Sequence, residues 1–331
     1  MKKAKKVSVV VPVYNEQDNV IELAEKVYQA LTKESFQWEL IIVDDGSTDQ
    51  TVKVIREYQK QNKAGFAPDQ LRVVSLRRNF GQTSAMAAGF DHASGDVIVP
   101  MDGDLQNDPA DIAMLVGKLE DGYDVVSGWR KNRKDKAISR KLPSKIANWA
   151  IGVITGVKLH DYGCSLKAYR REIVEHINLY GEMHRFIPAI ASWAGAKVTE
   201  MPVNHHARTR GKTKYGINRT FKVVLDLITV KFLGTFSTKP LHIFGGIGMC
   251  SLLMSFLTGG IMLWQKFSER NLSMNRNPLL ILSAILVMMS VQFLLMGLLA
   301  EMMCRTYHES QNKPTYVVRD VTNIGDDWQD E

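Results

Sequence analysis

The chain has 331 residues, of which 45% are hydrophobic and 23% charged, and its formal net charge is +7. This length accommodates one α/β domain of about 200 to 250 residues and an additional segment. The three cysteines lack metal-ligand spacing, which argues against a structural zinc site, and they are too few for the disulfide framework of a small secreted domain. The positive charge is compatible with nucleic acid, anionic lipid or a phosphorylated substrate as a ligand.

Strand-like and helix-like segments alternate over the first 128 residues. Continuous apolar, β-branched runs predict strands, and apolar residues at helical spacing predict helices. The predicted strands are residues 7–11, 39–43, 72–76, 97–101 and 123–127. The helices between them are predicted near residues 20–31, 49–58, 82–92 and 108–119, the last beginning with Asp108 as its cap and Pro109 in its first turn. This alternation predicts a Rossmann-like, mostly parallel sheet that binds ligands at the carboxyl ends of its strands.

Two later segments, residues 242–264 and 278–300, are apolar and carry no charged residue. Each would be about 34 Å long as a helix, enough to cross a hydrocarbon core of about 30 Å. The short polar connector between them predicts a hairpin. Lysines and arginines before the first span favour a cytosolic N-terminal domain, with both termini in the cytosol.

An apolar stripe within residues 217–236 predicts an amphipathic helix, either in the lipid headgroup layer or packed on its own domain. The predicted organisation is therefore a catalytic α/β domain (1–216), an amphipathic juxtamembrane segment (217–240), two transmembrane helices (241–303) and a cytosolic tail (304–331). Glycines and serines in the first span would allow close helix packing, which favours a homo-oligomer.

The sequence Asp102-Gly103-Asp104-Leu105-Gln106 directly follows the fourth predicted strand. Two carboxylates at positions i and i+2 point the same way in an extended chain. Their oxygens suit Mg²⁺ or Mn²⁺, which takes few protein ligands and several from phosphate and water. A surface turn can carry the same sequence, but its place at a strand end favours a cation that neutralises a leaving diphosphate.

Polar loops also follow the first three predicted strands, at residues 12–16, 44–49 and 77–82. Asp44 or Asp45 can hold a base or a ribose hydroxyl, and a turn with a helix cap is the alternative. The third loop has two arginines at a helix start, which predicts either a phosphate site or a basic cap. The sequence has no GxGxxG fingerprint after the first strand, no P-loop and no GxSxG elbow, which disfavours dinucleotide oxidoreductases, P-loop ATPases and α/β-hydrolases.

Basic residues concentrate in residues 129–145 and 208–222. Arg130 lies close to the fifth predicted strand, so this stretch predicts a phosphate site. The alternative is a solvated face that contacts anionic headgroups.

Three motifs resemble the inverting family 2 glycosyltransferases, which have the GT-A fold: residues 9–16 (VVVPVYNE), 43–49 (VDDGSTD) and 102–106 (DGDLQ). Three more, followed by two spans, are similar to polyisoprenyl-phosphate glycosyltransferases: residues 79–82 (NFGQ), 161–165 (DYGCS) and 208–215 (RTRGKTKY). Within that group the chain resembles the bactoprenol glucosyltransferases of the GtrB type, relatives of dolichol-phosphate mannose synthase. The resemblance covers nearly the whole chain.

Together with the loop predictions above, the resemblance implies a role for each matching residue. The nucleotide-sugar site comprises Pro12, Tyr14, Glu16, Asp44, Asp45, Arg78, Asn79, Gln82 and Asp102. The metal, Mg²⁺ or Mn²⁺, is assigned to Asp102, Asp104 and Gln106. The acceptor phosphate is assigned to Arg130, Arg133, Arg208, Lys214 and Tyr215. The implied catalytic residues are Asp104, Asp161 and Arg208, where Asp161 is a base, an orienting residue or a structural turn residue.

The implied reaction is inverting transfer of a hexose, glucose from UDP-glucose, to undecaprenyl phosphate on the cytosolic face of a bacterial inner (plasma) membrane. A phosphate oxygen attacks the anomeric carbon and needs little help from a general base, so catalysis rests on positioning and electrostatics. The resemblance favours a tetramer. The alternatives are a family 2 membrane glycosyltransferase with another sugar or acceptor, and a non-catalytic nucleotide-sugar-binding membrane scaffold. Nucleic-acid binding is not expected, because the sequence has no reader motif.

Overall fold

A computed structural model describes residues 6–131, 148, 151–153, 155–175, 177, 183–207, 240–268, 277–310 and 318–323. The chain consists of two units, the first comprising Met1–Val230 and Pro314–Glu331 and the second Lys231–Lys313. The predicted amphipathic stripe of residues 217–236 lies outside the described residues.

One mixed, largely parallel sheet of eight strands is present in the described part of the first unit. Its strands are β1 (Lys6–Val13), β2 (Gln37–Asp44), β3 (Leu71–Leu76), β4 (Val97–Pro100), β5 (Val125–Trp129), β6 (Lys167–Arg170), β7 (Val198–Pro202) and β8 (Val318–Asn323). The order across the sheet is β7-β5-β6-β4-β1-β2-β3-β8. Strands β1 to β4 are mutually parallel, as are β5 and β7, whereas β6 and β8 run antiparallel to their neighbours. The predicted α/β class with a mostly parallel sheet is confirmed.

Among the described residues of the first unit, the helices with defined bounds are α1 (Val20–Leu31), α2 (Thr51–Gln61), α3 (Gln82–His92), α4 (Asp111–Glu120), α5 (Arg171–Val174) and α6 (Ile187–Trp193), with a 3₁₀ turn at Met183–Arg185. The expected start of the fourth helix at Asp108 is wrong, because α4 begins at Asp111. The Asp108 carboxylate accepts the N–H of Ala110 at 3.0 Å, and this local bond holds a separate turn ahead of the helix.

Helices cover both faces of the sheet, as the continuous apolar strands predict. On one face, Val9 and Val11 of β1 pack in a core with α1, α2 and α4. On the other face, Val10 packs in a core with α3 and α6. Alternate side chains of a single strand therefore supply both cores.

A buried carboxylate joins β1 and β2 near their N-terminal ends. Glu39 is fully buried and lies opposite Ser8 in the strand register. It accepts hydrogen bonds from the Ser8 hydroxyl (2.6 Å), the Ser94 N–H (2.7 Å) and the Ser94 hydroxyl (2.8 Å), and the Lys6 ammonium lies at 3.1 Å. Burial works to raise the pKa of Glu39, but the bonds from Ser8 and Ser94 outweigh it, so the pKa lies below its ordinary value.

Replacing Glu39 with glutamine is expected to lower the melting temperature of the detergent-purified protein near neutral pH. The amide loses the charge that these donors surround, which costs roughly 1–3 kcal/mol, or about 3–10 °C in a domain of this size. The measurement is thermal unfolding followed by tryptophan fluorescence.

The effect of Glu39→Gln on the melting temperature is expected to depend on pH. Because the folded-state pKa of Glu39 is lowered from its ordinary value of 4.5, the carboxylate stabilises the protein above that value. The contribution is lost as the pH falls through the folded-state pKa. The difference in melting temperature between wild type and Glu39→Gln is therefore expected to decrease as the pH falls. A difference that stays constant to about pH 3 would contradict a stabilising, ionised Glu39.

The second unit contains two long helices, α7 (Pro240–Ser268) and α8 (Pro278–Ser310). Within them, Phe244–Ser268 and Pro278–Ala300 are long and apolar enough to cross a membrane. The helices pack closely through small residues. The hydroxyls of Ser255 and Ser283 each donate to the other residue's backbone carbonyl, at 2.9 and 3.1 Å. These contacts lie within one hairpin, so the homo-oligomer that the small residues favour stays a prediction.

Strand β8 comes from the C-terminal tail and closes the sheet beside β3. It is anchored by side chains as well as by the strand pairing: Arg72 Nε donates to Asn323 Oδ1 at 3.1 Å, and Gln59 Nε2 donates to the Thr322 carbonyl at 3.4 Å. The chain therefore leaves the first unit for the helical hairpin and returns to it.

Candidate active site

The carboxyl ends of β1 to β4 lie at one edge of the sheet, because these strands are parallel. Strand β1 is central among them, with β2 and β3 on one side and β4 on the other. The strand order thus reverses at β1, which is where open α/β sheets form a ligand crevice. The four polar loops found in the sequence converge there.

The loops after β1 and β2 are tied together by side chains. Asn15 has a left-handed backbone (φ 53°), which aims its amide at the second loop. Its Oδ1 accepts the N–H of Thr48 at 2.9 Å, and its own N–H donates to the Ser47 hydroxyl at 2.9 Å. Pro12 and Tyr14 flank the end of β1, so these predicted nucleotide residues stand on a braced loop.

Glu16 ends the same loop and is braced as well. Its carboxylate accepts the amide of Asn19 at 2.6 Å, and its N–H donates to the Thr51 hydroxyl at 3.0 Å. Asp49 accepts the N–H of Thr51, the first residue of α2, at 2.9 Å. This bond holds the end of the second loop at the start of the helix.

Asp44 and Asp45 are both buried, and both hold backbone. The Asp44 carboxylate accepts the N–H of Ser47, at 3.1 Å from its nearer oxygen. Asp45 reaches the third loop and accepts the N–H groups of Phe80 (2.7 Å) and Gly81 (2.9 Å). Burial raises the pKa of both aspartates, and these N–H bonds oppose the rise. Asp45 thus positions the third loop, a role that its motif did not reveal.

Gly46 allows the second and third loops to touch. Its φ is +68°, and a Cβ atom there would lie 2.4 Å from the Arg78 carbonyl carbon. The Arg78 guanidinium lies over the Phe80 ring, 4.1 Å from its centroid, and its Nη1 donates to the Asn79 carbonyl at 3.2 Å. The predicted phosphate residues Arg78 and Asn79 are therefore held in an ordered loop against the Asp45-Gly46 turn.

If these loops bind the nucleotide as their motifs predict, replacing Gly46 with alanine is expected to weaken UDP binding roughly tenfold or more. The added methyl group collides with the third loop, and the left-handed backbone becomes strained. The measurement is titration calorimetry with UDP and Mn²⁺. Gly65→Ala is the matched control, since Gly65 has a φ of +78° but its added Cβ would meet only the Tyr28 hydroxyl, at 3.5 Å. An equal loss of UDP affinity in Gly46→Ala and Gly65→Ala would show that backbone strain, and not the collision with the third loop, weakens binding.

The acidic motif forms a tight turn directly after β4. Leu105 has a left-handed backbone (φ 60°) although its side chain is buried, an uncommon conformation that clusters at functional sites. A Cβ atom at Gly103 would lie 2.9 Å from Val13 Cγ1, so the turn lies against the end of β1. The Gln106 N–H donates to Asp104 Oδ1 at 3.2 Å, and its carbonyl accepts the His206 N–H at 2.9 Å.

Electrostatics in this turn favour a cation. Burial and repulsion from Asp104 raise the pKa of Asp102. A hydrogen bond with Ser165 and the positive charges of Arg130 and Lys167 lower it, but not enough to cancel the rise. Gln82 Nε2 donates to Asp102 Oδ1 at 2.7 Å, which fixes that carboxylate. Across the described residues, no group of three His, Cys, Asp or Glu side chains could hold a metal. Two adjacent carboxylates fit Mg²⁺ or Mn²⁺ when substrate phosphate and water supply the other ligands.

Arg130, at the end of β5, forms a two-pronged ion pair with Asp161. Its Nε and one Nη lie 2.7 and 2.9 Å from the two carboxylate oxygens. Asp161 Oδ1 also accepts the Gly163 N–H at 3.1 Å. The Asp161 interaction raises the pKa of Arg130 despite its burial. This places Asp161 as the partner that orients Arg130. Beside the pair, the Trp129 ring stacks on His160 at 4.3 Å, and His160 pairs with Glu200.

A buried lysine beside these charges was not singled out from the sequence. Lys167 at the start of β6 is 3% exposed, and its ammonium donates to the Tyr162 carbonyl at 3.3 Å. Burial lowers its pKa to about 8. Cys164 nearby is also buried, which raises the pKa of its thiol to about 11. A lysine inside an apolar strand, close after the Asp161 motif, is the signal that could have drawn attention to Lys167.

His184 is a second residue that sequence reasoning missed. It lies in the 3₁₀ turn, and its Nδ1 is 2.7 Å from the hydroxyl of Thr83 at the start of α3. Only the structure joins these positions, which are about a hundred residues apart in the chain. Four predicted acceptor residues, Arg133, Arg208, Lys214 and Tyr215, lie outside the described residues.

With this geometry in place, comparison with known proteins decides the family. Residues 8–177 match glycosyl transferase family 2, and residues 239–306 match the GtrB C-terminal hairpin. The chain belongs to glycosyl transferase family 2. The match confirms both parts of the resemblance seen in the motifs, the catalytic domain and the helical hairpin that follows it.

Two similar proteins align over nearly the whole chain. Dodecaprenyl-phosphate galacturonate synthase of Rhizobium johnstonii is 48% identical over 317 residues, covering 95% of this chain and 92% of the relative. Undecaprenyl-phosphate 4-deoxy-4-formamido-L-arabinose transferase of Klebsiella pneumoniae is 36% identical, covering 96% and 94%.

Solved structures agree on the fold. Glucosyl-3-phosphoglycerate synthase of Mycobacterium tuberculosis with phosphoglyceric acid has a TM-score of 0.53 at 18% identity, covering 70% of this chain and 80% of that one. The same protein with Mn²⁺, UDP and phosphoglyceric acid has a TM-score of 0.51 at 19% identity, covering 69% and 78%. At this identity the likeness shows the GT-A-like fold alone.

Proposed function

We propose that this protein transfers a sugar from a uridine-diphosphate donor to a polyprenyl phosphate at a membrane surface, with inversion at the anomeric carbon. The observation that carries the proposal is the 48% identity to a dodecaprenyl-phosphate galacturonate synthase over 95% of the chain. The second relative also acts on a polyprenyl phosphate, which supports the same class of acceptor. The two apolar helices are consistent with a lipid substrate.

Each part of the candidate site has a role in this reaction. The loops after β1, β2 and β3 form the nucleotide side, where Asp45 and Gly46 hold the third loop in place. Asp102 and Asp104 would hold a divalent cation, Mg²⁺ or Mn²⁺, which when bound neutralises charge on the departing diphosphate. Gln82 Nε2 donates a hydrogen bond to Asp102 Oδ1 and so restricts the orientation of this carboxylate.

We assign the acceptor phosphate to Arg130, whose guanidinium is held by Asp161 through two hydrogen bonds. A phosphate oxygen already carries negative charge near neutral pH, so the reaction needs positioned cations more than a proton acceptor. We therefore assign Asp161 a positioning role. Arg133, Arg208, Lys214 and Tyr215 keep their predicted part in acceptor binding.

For the donor sugar we favour galacturonate, because the 48% relative is named for it and the 36% relative is named for an arabinose derivative. The sequence-based choice of glucose from UDP-glucose stays a prediction. So do the tetramer, the bacterial inner membrane and the cytosolic orientation of the catalytic domain.

The test is transfer by the purified full chain in detergent with undecaprenyl phosphate and Mn²⁺. Radiolabelled UDP-galacturonate, UDP-glucose and UDP-galactose are supplied separately, and label in the lipid phase is counted. Undecaprenol, which lacks the phosphate, is the control acceptor. We expect label from UDP-galacturonate with the phosphate lipid only.

Label from UDP-glucose alone would keep the reaction and restore the glucose prediction. Equal labelling of undecaprenol would reject phosphate as the nucleophile. Absence of label from every donor, with UDP binding intact, would reject the proposed reaction and favour a nucleotide-sugar-binding scaffold.

A further inference from the structure

A short segment directly after β7, residues 203–206, is hydrogen-bonded to both halves of the candidate site. The N–H of Val203 donates to the carbonyl of Trp129 at 3.0 Å, at the end of β5. The N–H of His206 donates to the carbonyl of Gln106 at 2.9 Å, at the end of the acidic motif. This segment, called the strap below, therefore connects the end of β5 that carries the acceptor arginine with the acidic turn.

The middle of the strap is held by a carboxylate of α4. Asp111, the first residue of this helix, is only 7% exposed. One of its oxygens accepts the backbone N–H of Asn204 at 2.6 Å, and the other accepts the side-chain amide of Asn204 at 2.9 Å. His205 adds an antiparallel β-bridge to Asn107 of the loop before α4. Because hydrogen bonds to an ionised carboxylate are among the stronger ones, the Asp111–Asn204 pair is the main anchor of the strap.

The strap joins strand ends that are not neighbours in the sheet, because β6 lies between β4 and β5. The pairing of β6 with β4 ends at Ile98, and its pairing with β5 ends at Ser127. The acidic turn and Arg130 both lie beyond these ladders, and the strap gives them a direct backbone connection. Their separation matters for transfer, since a misplacement of about 1 Å between reacting groups can cost about 10²-fold in rate.

We propose that Asp111 and Asn204 are positioning residues for the transfer reaction. By fixing the strap, they set the separation between the acidic turn and Arg130, and hence the alignment of the donor sugar with the acceptor phosphate. The inference rests on the proposed function and adds to it a pair of residues that acts through the strap.

Loosening this pair leaves the local contacts of each half of the site in place. Gln82 still bonds Asp102 in the acidic turn, and Asp161 still bonds Arg130. Each half therefore keeps the groups that bind its own substrate. The loss falls on kcat, the rate with both substrates bound, and leaves UDP binding almost unchanged.

The two residues can exchange side chains, which provides a rescue variant. In Asp111→Asn, the new amide nitrogen meets only donors of Asn204, so one of the two bonds is lost. In Asn204→Asp, two carboxylates face each other. In the double variant, the amide at position 111 accepts the backbone N–H of residue 204 and donates to the new carboxylate. The double variant thus keeps both bonds and the net charge.

The experiment uses the purified full chain in detergent. Transfer to undecaprenyl phosphate is measured at saturating concentrations of the donor that wild type uses and of the acceptor, and UDP affinity is measured by titration calorimetry with Mn²⁺. We expect Asp111→Asn and Asn204→Asp each to lower kcat roughly tenfold or more, with UDP affinity within about threefold of wild type. The double variant is expected to recover kcat to within about threefold of wild type.

Asp124→Asn is the matched control. Asp124 also holds a backbone N–H beside β7, but at the opposite end of that strand, where its carboxylate accepts the N–H of Lys197 at 2.8 Å. This variant is expected to lower the melting temperature without lowering kcat of the folded protein.

Four results would overturn the inference. Wild-type kcat in both single variants would show that the pair does not affect alignment. A loss of UDP affinity as large as the loss of kcat would show that the pair supports nucleotide binding or folding. An unrecovered double variant, or an equal loss of kcat in Asp124→Asn, would show general destabilisation. Failure of the proposed function is read separately, from wild type alone: if wild type transfers no sugar from any donor, the proposed reaction is rejected and this inference with it.

Discussion

Replacing Asp104 with asparagine is expected to reduce sugar transfer by roughly 10³-fold, about 4 kcal/mol of transition-state stabilisation. The amide removes one negative charge from the pair that would hold the cation. It keeps the oxygen that accepts the Gln106 N–H, so the turn is expected to fold as before. The measurement is label transferred to undecaprenyl phosphate at saturating donor, with Mg²⁺ and with Mn²⁺.

Asp108→Asn is the matched control for this variant. Asp108 lies four residues further along and bonds the Ala110 N–H and the His206 ring, at 3.0 and 3.1 Å. It belongs to the same loop but not to the acidic pair. If the Asp104→Asn and Asp108→Asn variants transfer sugar at the same rate, then Asp102 and Asp104 hold no catalytic cation. That result would favour a non-catalytic role for the protein.

Separating Arg130 from Asp161 is expected to have the second large effect. Arg130→Met and Asp161→Asn should each lower transfer by at least about 10²-fold, because the phosphate loses a positioned cation. Each should also destabilise the domain by about 3 kcal/mol, since one buried charge is left without its partner. The side chains of Arg130 and Asp161 are only 14% and 5% exposed.

The double variant decides what Asp161 does. If Asp161 acts only through Arg130, then Arg130→Met with Asp161→Asn transfers no more slowly than Arg130→Met alone. If Asp161 also accepts a proton in the reaction, the double variant should lose transfer activity by the product of the two single-variant losses. Arg170→Met is the control for stability, because Arg170 forms a half-buried ion pair with Asp124 at 3.6 Å. It should lower the melting temperature without changing transfer by the folded protein.

Local signals in the sequence were enough to find strands β1 to β5 and the acidic turn, whereas β6, β7 and β8 were not predicted. The run of valines in β1 predicted a strand covered on both faces, and it is covered by α1 on one face and α3 on the other. Asp102 and Asp104 were identified because their motif follows a strand. Short-range chemistry, namely chain direction and carboxylate spacing, determined both predictions.

Contacts between residues far apart in the chain could not be predicted from such local signals. Asp45 holds Phe80 and Gly81 across 35 residues, and His184 holds Thr83 across 101, so only the assembled sheet brings these groups together. Lys167 becomes a neighbour of Asp102 because β6 inserts antiparallel between β4 and β5, an order that strand periodicity does not specify. Strand β8 has six residues and little apolar character, so nothing local marked it.

The pairing of β8 with β3 has a consequence for how the chain matures. The partner strand of β3 is made last, after both helices of the hairpin, so the edge of β3 stays open while the rest of the domain can already fold. If the hairpin crosses a bilayer, β8 can reach β3 only when an even number of crossings returns the tail to the starting side. In that case, a completed sheet indicates that both helices of the hairpin have inserted. A chain that ends early or inserts with one crossing would keep an exposed strand edge, the feature by which proteins aggregate and quality-control factors select their clients.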